Sequence, residues 1–215
     1  MKKITLLGLL AIVAVAPQAS AVNVLVNGDF TAGEANWTRW RAPWGSSENW
    51  AVTGSGPTPP EGNLYGSGGN ASFGWYQIVP VAPGSASLSA VWSGSIGGAG
   101  WAEMLLFSSA TLLPAQDWVT RIDTGNAADL AFKKDSWGMN PPIDWPWQSA
   151  SLSPHPSGNG GTIMSLGYVC VALKLGGFPT GSVYFDDIAL EVVPEPSSAL
   201  LLLLAGLPLL LRRRT

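Results

Sequence analysis

Strand-like apolar stretches recur along most of the chain between targeting-like ends, and helical periodicity is nearly absent. Short stretches rich in Val, Ile, Trp and Phe are separated by clusters of Gly, Pro, Asn and Ser, which is typical of strands joined by turns. Short strands without crossover helices between them indicate an all-β, antiparallel β-sandwich. The predicted strands are Val24–Val26, Trp37–Arg41, Trp50–Val52, Phe73–Val81, Ser85–Trp92, Trp101–Phe107, Trp118–Ile122, Gln148–Leu152, Ile163–Leu175 and Val183–Val193.

A turn dipeptide separates two of these strands. Pro83-Gly84 lies between Phe73–Val81 and Ser85–Trp92, and Pro and Gly each favour turn conformations for a different physical reason. The two strands are therefore predicted to pair as an antiparallel hairpin.

Alternation also assigns side chains to faces in the strand that ends at Leu175. Residues two positions apart share a face of a strand. One face then carries Val169, Val171, Leu173 and Leu175, and the other carries Tyr168, Cys170 and Lys174. The only cysteine is Cys170, which cannot form an internal disulfide and lies in an apolar run, so it is predicted to be a small buried hydrophobe rather than a reactive thiol.

In the last predicted strand a carboxylate falls on the apolar face. Tyr184, Ile188, Leu190 and Val192 share that face, and Asp186 belongs to the same set. An ionised carboxylate among apolar neighbours is costly without a partner. Either a bulge turns Asp186 outward, or a cation or several hydrogen-bond donors satisfy it.

The N-terminal residues have the pattern of a secretory signal. Lys2 and Lys3 precede an apolar run from Ile4 to Ala16, and Ala19-Ser20-Ala21 supplies small residues at the cleavage site. The pattern predicts a signal peptide over residues 1–21, removed by signal peptidase before Val22. The exported domain is then predicted to span residues 22–193.

The C-terminal residues 194–215 have three parts with different physical consequences. Two prolines separate the segment from the preceding strand, an uncharged run partitions into lipid, and a basic cluster stays on the cytoplasmic side. The run falls short of the ~20 residues that a full hydrocarbon core requires, and it contains a proline. The three parts are Pro194-Glu195-Pro196, the run Ala199–Leu211, and Arg212, Arg213 and Arg214.

This arrangement resembles the PEP-CTERM sorting signal. The resemblance implies a short transmembrane sorting helix that an exosortase-type enzyme recognises in the inner membrane. Cleavage near the motif would then release a membrane-tethered protein to the cell surface or the extracellular space. The alternative is a permanent single-span anchor.

Charge excludes one class of partner for the exported domain. Residues 22–193 hold six basic and thirteen acidic side chains, a net charge of about −7, and the basic residues form no patch along the sequence. Nucleic-acid binding requires a basic surface, so it is not expected. A chain of this length can bury one core, and a single domain is predicted.

Enzyme signatures are weak. The only histidine, His155, lies between two prolines, without a nucleophile-elbow motif to support a Ser–His–Asp arrangement. Glycosidase chemistry needs two facing carboxylates, and nothing in the spacing of Glu103 with Asp117 or Asp123 favours that pairing over solvated surface residues. The protein is therefore predicted not to be an enzyme.

The opening and closing segments of the domain carry a second resemblance. Asn27-Gly28-Asp29-Phe30, Gln77–Gly84 and Phe185-Asp186-Asp187-Ile188 resemble the motifs of galactose-binding-domain-like jelly rolls, which include many carbohydrate-binding modules. The resemblance implies a jelly-roll β-sandwich whose first and last strands lie side by side. It also implies a structural Ca²⁺ near Asp186 and Asp29, although Thr31 stands where the family usually has a glutamate ligand. The alternative is that Asp186 accepts backbone hydrogen bonds that hold the terminal strands together.

The tryptophans form the other candidate site. All eleven lie in the exported domain, several of them in turn-rich segments, and a flat aromatic ring stacks on the apolar face of a sugar. Core packing is the alternative for each, because tryptophan is also a large core residue. The predicted ligand-binding residues are Trp44, Trp137, Trp145 and Trp147, with Trp145 and Trp147 together in a proline-rich loop.

These features together predict an exported, surface-sorted, non-catalytic protein. Its expected work is to bind or organise exopolysaccharide in the cell envelope or biofilm matrix. The alternative is a structural surface protein that contacts other proteins and binds no glycan.

Overall fold

The computed structural model describes residues 20–46, 48–54, 59–125, 130–136, 143–151, 153–154 and 167–194. All the described elements lie in one compact unit, Ala21–Glu195. In chain order they are β1 (Val22–Asn23), β2 (Thr38–Arg41), β3 (Asn49–Thr53), β4 (Glu61–Ser67), β5 (Ala71–Pro80), β6 (Gly84–Ser109), α1 (Ala115–Thr124), β7 (Leu130–Asp135), β8 (Ile143–Ser151), β9 (Ser153–Pro154) and β10 (Tyr168–Pro194).

The strands form a sandwich of two layers that share their two longest strands. The layer that we call sheet I has the order β2-β5-β10-β6-β7-β9 and uses the first half of β10 and the second half of β6. The layer that we call sheet II has the order β3-β4-β10-β6-β8 and uses the other halves, with β1 beside the end of β10. Every pairing is antiparallel. The predicted all-β antiparallel class is confirmed for the described residues, apart from one short helix.

Glycines allow β6 and β10 to bend from one layer into the other. Gly98 has φ +69° and Gly177 has φ +84°, a left-handed region that side chains with a Cβ rarely adopt. A Cβ on Gly177 would also collide with the carbonyl oxygen of Ala99 on the neighbouring strand. The corner between the layers therefore depends on glycine.

The main core lies between the two layers. Val169, Val171, Leu173 and Leu175 of β10 all face it and are fully buried, which confirms the face predicted from alternation. Sheet II contributes a facing set that includes the fully buried Trp92. Burial of aliphatic and aromatic side chains of this size is the main stabilising term of such a sandwich.

A second, smaller core lies on the outer face of sheet I, under helix α1. Cys170 is fully buried there beside Ala172, as predicted for a small hydrophobe, and burial raises the pKa of the Cys170 thiol. The predicted strand Trp118–Ile122 is wrong, because both residues lie on α1. Their four-residue spacing places them on one face of the helix, which packs against sheet I. Pro114 precedes the helix, and Gly125 ends it in the left-handed conformation.

The predicted hairpin between Phe73–Val81 and Ser85–Trp92 is also wrong. Strand β5 pairs with β2 and β10 in sheet I, whereas the first half of β6 pairs with β8 and β10 in sheet II. The turn at Pro83-Gly84 therefore carries the chain from one layer to the other. A turn signal marks a change of direction but does not fix which strands pair.

The first and last strands lie side by side, as the resemblance implied. Val22 pairs with Val192, and the Val24 N–H donates to the Leu190 carbonyl oxygen at 2.9 Å. Farther along, the Ile188 N–H donates to the Gly28 carbonyl oxygen at 3.0 Å. The terminal segments of the domain are thus joined by backbone hydrogen bonds.

A bulge interrupts β10 at the carboxylate that the sequence placed on the apolar face. The register with β6 shifts between Asp186 and Ala189, and Asp187 has φ +47°. The bulge reverses the facing, so Tyr184 lies on the outer face while Ile188, Leu190 and Val192 lie in the core. The prediction of a single face was therefore wrong, and the bulge that it offered as an alternative is present. Asp186 itself is fully buried.

Both predicted targeting segments fall outside the described residues, apart from Ser20, Ala21 and the backbone of Pro194. This applies to residues 1–19 of the signal peptide and to Glu195, Pro196 and the arginine cluster of the sorting signal. Among the residues that the structure describes, no helix is long and apolar enough to cross a membrane.

Candidate functional site

The outward face of sheet II carries two registered rows of side chains, most of them aromatic or uncharged polar groups, with one aspartate at the end of the second row. Cα pairing across β3, β4, β10, β6 and β8 places the members of each row side by side, except for Trp147. Trp147 lies at the register shift between β6 and β8, and it joins the first row through its ring contact with Tyr184. We call the two rows the sheet II platform. The first row is Ala51, Asn63, Tyr184, Ser93 and Trp147, and the second is Asn49, Tyr65, Ser182, Ser95 and Asp144.

Strand alternation explains why these side chains face outward. In the first half of β6 every second residue is an apolar residue or a glycine that faces the core, and the residues between them are mostly serine. The inward set is Ala86, Leu88, Ala90, Trp92 and Ile96, and the outward serines are Ser85, Ser87, Ser89, Ser93 and Ser95. The core that fixes the inward set thereby also fixes an uncharged, hydroxyl-bearing outer surface.

Three aromatic side chains stand on this surface. The rings of Trp147 and Tyr184 lie 6.1 Å apart, tilted by 49°, and both residues are half-buried. Tyr65 is 43% exposed and lies on β4, next to β10 and one row away from Tyr184. From β4 to β8 are three steps of about 4.8 Å between strands, so the aromatic path extends about 14 Å across the sheet. That distance exceeds one sugar ring and suits an oligomer.

Small polar groups lie between the aromatic rings. Asn63 and Ser93 flank Tyr184 in its own row and are 6% and 8% exposed. Ser182 and Ser95 occupy the next row beside Tyr65. Amide and hydroxyl groups both donate and accept hydrogen bonds, which is what recognition of sugar hydroxyls needs.

A bulge in β8 separates the two tryptophans that the sequence placed together. Residues two positions apart normally share a face, but the register with β6 shifts between Trp92 and Gly94. Trp145 therefore enters the core, 6% exposed, with its ring 4.9 Å from that of Trp92, while Trp147 faces outward. The predicted loop is wrong because both residues lie on a strand. Trp145 is therefore a core residue, which was the alternative offered for each tryptophan.

The other two predicted tryptophans are not part of the platform. Trp44 is 48% exposed in the connection between β2 and β3, outside the two rows. Trp137 lies outside the described residues.

The two predicted metal ligands each accept hydrogen bonds from their own segment. Oδ1 of Asp29 accepts from the backbone N–H and the hydroxyl of Thr31, at 3.2 and 3.0 Å. Oδ1 of Asp186 accepts from the Asp187 N–H at 2.8 Å. Glu61 has a second fully buried carboxylate. It precedes Gly62, which pairs with Phe185, the residue before Asp186. The Glu61 carboxylate accepts a hydrogen bond from the Thr53 hydroxyl at 2.6 Å.

Within the part of the chain that the structure describes, no group of three or more His, Cys, Asp and Glu side chains is placed to hold a metal. Two buried carboxylates near each other would suit a hard cation such as Ca²⁺ if backbone oxygens completed the set. Binding of Ca²⁺ through Asp29 and Asp186 stays a prediction.

Sequence reasoning missed the tyrosines of the platform. Strand β4 was not predicted, because its glycines and asparagine look like turn residues. Packing requires glycine at two of these positions. A Cβ on Gly62 would lie 2.6 Å from the Phe30 ring, and a Cβ on Gly66 would collide with Pro179. The regular spacing of serines in β6 was the one available signal for an uncharged outer face.

Comparisons with known proteins find similarity in fold. The sequence matches no protein-family model and no curated protein. Among solved structures, the carbohydrate-binding module TmCBM61, in complex with β-1,4-galactotriose, is 13% identical over 79% of this chain and 97% of its own, with a TM-score of 0.47. A family 11 carbohydrate-binding module from Clostridium thermocellum, in complex with a β-1,3-1,4-mixed-linked tetrasaccharide, is 13% identical over 82% and 98%, with a TM-score of 0.47.

A third structure, the enzymatically active domain of tailspike protein 4 of bacteriophage CBA120, is 13% identical over 80% of this chain and 21% of its own, with a TM-score of 0.50. At this level of identity the similarity concerns the fold alone.

Proposed function

We propose that this protein is an exported, non-catalytic protein that binds polysaccharide on the sheet II platform. The observation that carries the proposal is the row in which Trp147 and Tyr184 face outward with Ser93 and Asn63 beside them. Aromatic rings supply flat apolar surfaces for the C–H faces of sugars, and the amide and hydroxyls supply hydrogen bonds to sugar hydroxyls. The platform extends across several strands, which favours a polymer over a monosaccharide.

Two of the three carboxylates considered for glycosidase chemistry, Glu103 and Asp123, have partners on sheet I. Glu103 is 4% exposed on the outer face of sheet I, where it pairs with Lys133 at 2.8 Å and Lys174 at 3.0 Å. That environment supports a structural role for Glu103. Asp117 lies exposed in the first turn of α1, and Asp123 accepts a hydrogen bond from Ser72 at 2.6 Å.

Alanine substitution on the platform is expected to weaken binding without unfolding the protein. We expect Tyr184→Ala and Trp147→Ala each to reduce polysaccharide affinity by about 10- to 100-fold, since an aromatic anchor contributes about 1–3 kcal/mol. The measurement is affinity electrophoresis or calorimetry of the full chain, purified in detergent, against β-1,4-galactan, mixed-linkage β-glucan and the producing organism's exopolysaccharide. Melting temperature is recorded for every variant.

Trp44→Ala is the matched control, because Trp44 is an exposed aromatic outside the platform. Its affinity should equal that of the unmodified protein. If Trp44→Ala abolishes binding while both platform variants retain it, the site lies in the connection between β2 and β3. If no polymer is retained at all, the structural alternative with protein partners replaces the proposal.

Export and sorting form the second part of the proposal, and they rest on the two terminal segments of the sequence. We expect deletion of residues 194–196 to keep the apolar tail attached and the protein in the membrane fraction, because an exosortase-type enzyme no longer recognises it. Mass spectrometry and cell fractionation of the two proteins measure this. Equal mass and location for both would show that the tail is a permanent anchor.

A further inference from the structure

Basic residues are confined to one side of the sandwich, whereas acidic residues occur in both layers. All six basic residues between positions 20 and 194 lie in sheet I or on α1, and none of the described residues of sheet II is Lys or Arg. They are Arg39 and Arg41 on β2, Arg121 on α1, Lys133 and Lys134 on β7, and Lys174 on the first half of β10. Sheet II therefore has no cation of its own in the described part of the chain.

Sheet II carries acidic residues instead. Asp144 is exposed within the second row of the platform, directly opposite Ser95. Asp187, at the bulge, and Glu191, farther along β10, are both exposed. Glu61 and Asp186 are buried at the border of the platform. The platform thus combines uncharged contact groups with a negative surrounding.

We infer that the platform selects polysaccharides by charge: it takes uncharged polymers and rejects polyanions that carry uronate, sulfate or pyruvate groups. This inference rests on the proposed function. An anionic sugar placed on the second row would meet the Asp144 carboxylate without a neutralising cation, and like-charge contacts across an interface are a strong source of discrimination. The Arg39 guanidinium reaches sheet II at its other edge, 5.3 Å from the Trp50 ring on β3. Strand β3 lies four steps of about 4.8 Å from β8, so Arg39 does not contact a sugar placed beside Asp144.

The test compares one polymer with its own anionic derivative. Mixed-linkage β-glucan or β-1,4-galactan, whichever the full chain binds, is carboxymethylated. The uncharged polymer for comparison carries carbamoylmethyl groups at the same degree of substitution, so that the two derivatives match in size and differ in charge. Calorimetry at low salt is expected to show affinity about tenfold weaker for the carboxymethylated polymer, and the difference should shrink as salt screens the repulsion. Equal or tighter binding of the carboxymethylated polymer overturns the inference and leaves the proposed function standing. Failure of both polymers to bind overturns the proposed function, and the inference with it.

A charge reversal locates the effect on the platform. Asp144→Lys is expected to bring the affinity for the carboxymethylated polymer up to that for the uncharged polymer. Asp117→Lys makes the same change in net charge on the exposed surface of α1 and should leave the difference in place. An equal effect of both substitutions would mean that overall net charge discriminates, and the platform would then have no selectivity of its own. Melting temperatures of both variants confirm that each is folded.

Discussion

Replacing Trp145 by alanine is expected to lower the free energy of unfolding by about 3–5 kcal/mol, the usual loss for a buried tryptophan. The side chain is 6% exposed, and its ring packs against Trp92 on the neighbouring strand. It also covers Gly94, where a Cβ would lie 2.5 Å from the Trp145 ring, so no nearby side chain can fill the space that alanine would leave. Urea denaturation followed by circular dichroism measures the loss.

Trp147→Ala is the control for this prediction, because Trp147 lies two residues along the same strand and on the opposite face. Its expected cost is about 1 kcal/mol, typical of a substitution outside the core. Equal losses for the two variants would contradict the bulge in β8 that separates them. A large loss of unfolding free energy for Trp147→Ala alone would mean that Trp147 is the core residue and Trp145 the surface residue.

Replacing Lys174 by methionine is expected to cost about 3–5 kcal/mol, the usual result of removing one partner from a buried ion pair. Lys174 is 4% exposed, and its Nζ lies 3.0 Å from Oε2 of Glu103. The same ammonium donates to the carbonyl oxygens of Ile122 and Asp123, at 3.3 and 2.9 Å, near the C-terminal end of α1. The substitution therefore leaves Glu103 with Lys133 alone and removes a cation from a helix end that favours one.

The pH dependence of stability should identify the ion pair as the cause. Burial alone would raise the pKa of Glu103, but Lys174 and Lys133 hold that pKa below its usual value. A carboxylate with a lowered pKa stabilises the folded state at pH values above its unfolded pKa of about 4.3, and this contribution disappears as the pH falls further. Lys174→Met should therefore lose less stability on acidification than the unmodified protein.

The double variant Lys174→Met with Glu103→Leu provides the control. It removes both charges, so it should recover most of the stability that the single variant loses. If the double variant is as unstable as Lys174→Met, the loss comes from the helix contacts of Lys174 and not from an unpaired Glu103.

Local patterns predicted the parts of this fold that depend on local geometry. The alternation from Val169 to Leu175 identified a core face correctly, because the two-residue period of a strand does not depend on its partners. The pairing of β1 with β10 came from motifs at the two ends of the domain. Helix α1 was missed because its buried face consists of only Trp118 and Ile122, with Val119 partly buried beside them, and so few apolar residues do not make a visible period.

Features that arise from pairing could not be predicted in the same way. The bulges at Asp186 and near Trp145 appear only when one strand is aligned against another, and each reverses the side-chain facing that alternation assigns. Tyr184 was therefore placed in the core and Trp145 on the surface. Tyr65 was not predicted as a site residue, because only tryptophans were considered from the sequence. Its place on the platform follows from the pairing of β4 with β10.

The position of β10 determines the order in which the domain can fold. It is the last strand described, yet it pairs with β1, β4, β5 and β6 and lies at the centre of both layers. In a chain synthesised from its N-terminus, neither layer can close until residues 168–194 have emerged. Most native contacts of β10 join residues far apart in sequence, and such topologies fold slowly. Nascent chains that end before residue 168 would expose the apolar faces of both layers, so they would be targets for chaperones and proteases until the final strand arrives.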